Sequence, residues 1–109
     1  MATSTIKNQF KDISNDFTSE SASYLYAYKV GNLVHLTVKF DAGSYNNGYE
    51  ITVLSRHVPK TVAVGTAFNY NTGGTIGSIW AQTSDNKLRL FTGSLTSVPW
   101  IATICYVSN

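Results

Sequence analysis

From Tyr24 to Phe40 the chain reads YLYAYKV, then Gly31-Asn32, then LVHLTVKF. Period-two alternation on both sides of a two-residue turn specifies a β-hairpin, because a helix would need its apolar residues every three to four positions. Glycine at the first turn position predicts a type II′ turn, since only glycine takes that positive φ without a steric penalty. Residues whose numbers sum to 63 then lie opposite each other. Leu25 faces Val38 and Ala27 faces Leu36, while Tyr24, Tyr26 and Tyr28 share the other face with Lys39, Thr37 and His35. One face is aliphatic. The other is aromatic and polar, which calls for a partner subunit or a ligand that tolerates water.

A chain of 109 residues is one domain with a single core. Charged residues are 13% of the sequence, about half the ~25% of an average soluble domain, so its polarity rests on Ser, Thr, Asn, Gly and Tyr. Net charge is +2, with no basic run interleaved with aromatics, and this argues against nucleic acid as a partner. The single cysteine, Cys105, rules out an internal disulfide and a cysteine-based metal site. Its place in an apolar C-terminal run predicts a small buried hydrophobe. No apolar leader and no stretch of ~18 apolar residues is present, so membrane insertion is not expected. If the protein works outside a cell, a route other than classical secretion is expected, such as export inside a virus particle.

Residues 1–20 carry three of the six acidic residues and read as a tether or loosely attached first strand, anchored by Phe10, Ile13 and Phe17. Residues 21–109 read as the folded domain. After the first hairpin, 42–48 is a turn-rich loop and Tyr49 to Leu54 is a short strand, with Pro59 taking the chain out of the sheet. Thr61 to Tyr70 is a strand in which Gly65 marks a bulge or bend. Ile76 to Thr83 and Leu88 to Phe91 form a second hairpin centred on Asp85-Asn86, which sets Trp80 opposite Phe91 and Gln82 opposite Arg89. Ile79, Ala81, Leu88 and Leu90 take its other face. Trp100 to Val107 is the last strand. About seven antiparallel strands without significant helix predict an all-β, jelly-roll-like β-sandwich.

No enzyme is expected. Outside residues 1–20 the only carboxylates are Asp41, Glu50 and Asp85, all near turns or strand ends, and no nucleophile elbow places a serine beside a histidine. His35 and His57 lie on different elements without ligand spacing, so neither a metal nor a cofactor is expected. The sharper candidate is a binding surface. Trp80 and Phe91, edged by Gln82 and Arg89, offer an aromatic platform with planar polar partners for sugar hydroxyls, unless that face is buried against a neighbour or a second sheet. Arg56 and His57, on a loop held by strands, together with Tyr70 and Asp85, complete the candidate ligand contacts. Tyr24, Tyr26, Tyr28 and His35 are the candidate subunit interface.

Together, Tyr28-Lys29-Val30-Gly31-Asn32-Leu33-Val34-His35-Leu36, Val53-Leu54-Ser55-Arg56-His57-Val58-Pro59, the Gly74 to Phe91 hairpin and the closing strand resemble the C-terminal head domain of phage tail receptor-binding proteins. The likeness is to tail fibre or baseplate proteins of siphophages that infect Gram-positive bacteria, and it covers residues 20–109 through strand order and turn placement. It implies a small β-sandwich head that trimerises and binds saccharide of the host cell wall, often in clefts between subunits, on a virion beside other tail or baseplate proteins. Residues 1–20 hold no coiled coil or neck repeat, where that family has one, and no family binding residue is carried over by position. The alternative expectation is a structural module that trimerises or caps a tail fibre or baseplate without binding glycan.

Overall fold

The computed structural model describes residues 10–19, 22–41, 49–83, 85–92 and 99–108. Among the described residues there are nine strands: β1 (Phe10–Asp12), β2 (Phe17–Thr18), β3 (Ala22–Val30), β4 (Leu33–Phe40), β5 (Tyr49–Val53), β6 (Ala63–Asn69), β7 (Thr75–Ala81), β8 (Lys87–Thr92) and β9 (Trp100–Val107). Single 3₁₀ turns occupy Ser14–Asp16 and Ser55–His57. All strands join one antiparallel sheet in the order β1-β3-β4-β9-β6-β7-β8-β5-β2. The expected all-β, sandwich-like class is what forms. The seven strands read from the sequence are all present, and the two additional ones come from the N-terminal segment.

That segment explains how the sheet curls. β1 pairs with β3 at one end of the strand order and β2 pairs with β5 at the other, yet only Ile13 and the Ser14–Asp16 turn separate them. The Ile13 N–H donates to the Ala27 carbonyl at 2.9 Å, and the Leu54 N–H donates to the Asp16 carbonyl at 3.2 Å. The two ends of the sheet are therefore laced together, and Ile13 and Phe17 are buried in the core. Over residues 10–19 the tether expectation gives way to an integral part of the fold, with Ile13 and Phe17 as its anchors. Residues 1–9, the Phe10 side chain and the loop at 42–48 lie outside what is described.

The first hairpin has the register read from its turn: Tyr24 opposes Lys39, Leu25 Val38, Tyr26 Thr37, Ala27 Leu36 and Tyr28 His35. Gly31 has φ of 58°, and among the described residues no non-glycine residue has a positive φ, as a II′ turn requires. The inward positions form the core: Ala27, Leu36 and Val38 from the hairpin, Ala102 and Ile104 from β9, and Ile79, Ala81, Leu88 and Leu90 from the second hairpin. Phe40 and Trp100, cross-strand partners in β4 and β9, stack at 4.7 Å within it.

Two expectations are corrected. Trp80 lies opposite Arg89, and Phe91 opposite Ser78, a shift of two residues from the register centred on Asp85-Asn86. The cause is β5: the Asn86 carbonyl accepts the Val53 N–H at 2.8 Å, and the Asn86 amide donates to Ser55 Oγ at 2.8 Å. Asn86 is thereby drawn into an extension of β8 and out of the turn. A shift of two keeps every side chain on its own face, so Ile79, Ala81, Leu88 and Leu90 still point inward. Cys105 is exposed. On β9 the inward set is Trp100, Ala102, Ile104 and Tyr106, and strand parity turns Cys105 outward, opposite His35.

Candidate functional site

The outer face of the curled sheet carries the aromatic residues that the sequence singles out. One row of cross-strand partners crosses six strands: Tyr26, Thr37, Thr103, Thr66, Ser78 and Phe91. Four hydroxyl side chains lie between two aromatic rings, each about two-fifths exposed. The neighbouring row on β6, β7, β8 and β5 runs Val64, Trp80, Arg89, Glu50. Val64 and Trp80 are exposed there.

Trp80 is fixed in place. Its indole N–H donates to Ser78 Oγ at 2.9 Å, one outward position along the same strand. Arg89 is clamped by two carboxylates, with Nη2 at 2.9 Å from Asp85 Oδ2 and Nε at 3.3 Å from Glu50 Oε2. Lys87 Nζ reaches the other Glu50 oxygen at 3.1 Å. The hydrogen bond that Arg89 donates to Asp85, together with the field of both carboxylates and against the opposing effect of burial, holds the Arg89 guanidinium above its ordinary pKa. The platform is thus an aromatic surface beside two cations and two carboxylates that neutralise one another. A phosphate would have to displace carboxylates from Arg89. A neutral polyhydroxyl ligand finds donors and acceptors already oriented, with the indole face for its C–H groups.

The structure brings Trp80, Arg89 and Asp85 together. Gln82 follows the end of β7 and is half-buried. Tyr70 belongs elsewhere: it follows β6, is 53% exposed, and carries Lys39 Nζ 4.5 Å above its ring, where Lys39 also pairs with Asp41 at 3.3 Å. Tyr24 and Tyr26 are exposed, and Tyr28 is half-buried between Tyr26 and His35, with ring centroids 5.7 and 5.1 Å away. His35 Nε2 is 3.3 Å from Thr103 Oγ1, which ties this aromatic cluster to the hydroxyl row.

Arg56 and His57 sit on the Ser55–His57 turn and part ways in burial. Arg56 is exposed, whereas His57 is 3% exposed with both ring nitrogens engaged. Lys29 Nζ lies 3.2 Å from Nδ1 and Asp16 Oδ2 lies 2.8 Å from Nε2, a donor on one side of the ring and an acceptor on the other. Phe17 lies parallel to the ring, and Tyr106 Oη donates to the His57 carbonyl at 2.7 Å. Burial pushes the Tyr106 phenol well above its ordinary pKa. His57 is therefore a post that holds the turn against β3, β9 and the N-terminal segment, and Arg56 is what the turn presents to solvent.

The hydrogen bond from His57, with a smaller contribution from Arg56, holds the Asp16 carboxyl below the usual carboxylate range. A carboxylate whose folded pKa lies below the unfolded value of about 3.9 adds stability that is present above that value and lost as pH falls through the folded one. Urea unfolding of the parent chain and of Asp16→Asn should accordingly show a constant stability gap above about pH 5 that narrows below about pH 4. Parallel curves from pH 2 to pH 6 would detach Asp16 from the acid response.

Sequence reading missed Asp16 and Lys29 as partners of His57, 41 and 28 residues away, because charge spacing along the chain says nothing of where the curl brings its ends. Glu50, read as a solvated strand-end residue, is the bridge between Lys87 and Arg89. The alternation of Tyr49 to Leu54 was the signal that places it on an outer face. No protein-family model matches the chain, and a search of curated proteins finds no match.

Proposed function

We propose that this domain is a non-catalytic receptor-binding head of a phage tail that recognises host cell-surface saccharide as a homotrimer. The observation that carries the reading is the Trp80 platform: an exposed indole locked by Ser78 beside an arginine held by Asp85 and Glu50. A pre-oriented surface of this kind loses little side-chain freedom on binding, so weak sugar contacts are not cancelled by ordering costs. Trimerisation would then raise avidity without new contacts. Retention on a panel of purified Gram-positive cell walls is the test. Trp80→Ala should weaken binding by about tenfold, equivalent to ~1.4 kcal/mol, with the circular dichroism unchanged. Undiminished retention of that variant would remove the platform from the reading.

The structural alternative, a trimerising or capping module, draws on the contiguity of Tyr24, Tyr26, Tyr28 and His35 with the hydroxyl row. Light scattering behind a sizing column, across a dilution series, addresses the shared requirement. A stable trimer is expected of the receptor-binding head and of a trimerising module, and a persistent monomer contradicts the trimeric head. Retention on cell walls then separates them.

A further inference from the structure

A cleft of about 440 Å³ opens beside the buried histidine, lined by Lys11, Ile13, Asp16, Lys29, Gly31, Arg56 and His57. Its charge is one-sided. Lys11 and Lys29 are direct cross-strand partners in the β1–β3 pair, and like charges placed opposite each other destabilise a sheet. Arg56 adds a third cation from the Ser55–His57 turn. The sole carboxylate among the lining residues, Asp16, already accepts from His57 and pairs with Arg56 at 3.3 Å.

We propose that this cleft is a binding site for a phosphate-class oxyanion, held between Lys11, Lys29 and Arg56. The geometry favours a tetrahedral group over a carboxylate, because the three cations enter from different elements and a tetrahedral anion offers oxygens on several sides. Arg56 supplies a planar fork suited to two of them. Lys29 has three N–H donors, of which one goes to His57 Nδ1 and another to the Arg56 carbonyl at 3.3 Å. Its anchoring by His57 fixes the ammonium at the cleft wall. Burial first, then repulsion by Arg56 and Lys11, lowers the Lys29 pKa, and an anion in the cleft relieves that repulsion. The cleft shares no residue with the Trp80 platform, so either site can fail without the other.

The test is amide chemical-shift titration of the full chain with inorganic phosphate and, separately, with dimethyl phosphate, at ionic strength held constant with sodium chloride. Saturable shifts at Lys11, Lys29, Gly31 and Arg56 are expected. Lys11→Gln and Arg56→Gln, both exposed and outside the core, should each weaken saturation at least about fivefold, as loss of a charge-assisted contact does, while leaving the spectrum dispersed. Tighter binding of phosphate assigns the site to a free ion or monoester, and tighter binding of the diester assigns it to a phosphodiester-linked polymer. Shifts that track chloride equally well, or that survive the double variant unchanged, overturn the proposal.

Discussion

A chain that begins at Glu20 is expected to be largely unfolded at 25 °C and to aggregate, although it retains all seven strands that the sequence pattern announces. Removing residues 1–19 takes away Ile13 and Phe17, both buried in the core. Loss of side chains of these sizes costs about 2–5 and 3–5 kcal/mol respectively, against a total stability of about 5–15 kcal/mol for a domain of this kind. The deletion also strips β1 from β3 and β2 from β5, leaving two unpaired strand edges of the sort that recruit other chains. His57 loses Asp16 and Phe17 together. Thermal unfolding by circular dichroism, compared with the full chain, reads the effect. A cooperative transition within about 5 °C of the parent, roughly 1 kcal/mol at this size, would falsify the view that the N-terminal segment closes the sheet. Phe17→Ala in the full chain is the milder companion and should lower stability by about 3 kcal/mol or more.

The hairpins show how far local pattern reaches. At Gly31-Asn32 the turn chemistry and the alternation agree, and the register that follows is the one the protein adopts. Around Asp85-Asn86 the alternation again assigns each side chain to its correct face, but the register is decided by β5, which recruits Asn86 through Val53 and Ser55. Turn residues name a turn. They do not outvote a neighbouring strand and the turn that follows it, which offer two further hydrogen bonds. Cys105 makes the complementary point: in WIATICYV only Thr103 breaks the apolar run, a single polar residue that marks the outward parity Cys105 shares, and the burial of Trp100 and Tyr106 in the core makes that parity plain. The candidate site divides in the same way. Trp80 and Arg89 are legible because they sit on one hairpin, whereas Asp16, Lys29 and His57 meet through the closure of a sheet whose ends are set by two strands of three and two residues. Segments that short carry almost no periodic signal.

Gly65→Ala should cost about 3 kcal/mol or more, the upper range for forcing an added methyl into a packed interior. A Cβ at this position would overlap the Thr103 carbonyl oxygen and sit 2.9 Å from Ile104 Cα. Those atoms are backbone of β9, a strand bonded on one side to β4 and on the other to β6, so neither can swing aside as a side-chain tip would. Relief requires β9 to move away from β6 at the point where the hydroxyl row passes from Thr103 to Thr66. Gly31→Ala provides the contrast, because φ of 58° makes that substitution strained while nothing lies within 4 Å of its Cβ. Backbone strain alone costs about 1–2 kcal/mol. The ordering is therefore specific: Gly65→Ala, at an ordinary φ, should lower the melting temperature by about 12 °C or more, and Gly31→Ala by clearly less. Equal or reversed losses would mean that β6 and β9 are not pressed together at Gly65. The row of Thr66 and Thr103 would then lack the rigid backing that fixes the outer face on which Trp80 and Arg89 stand.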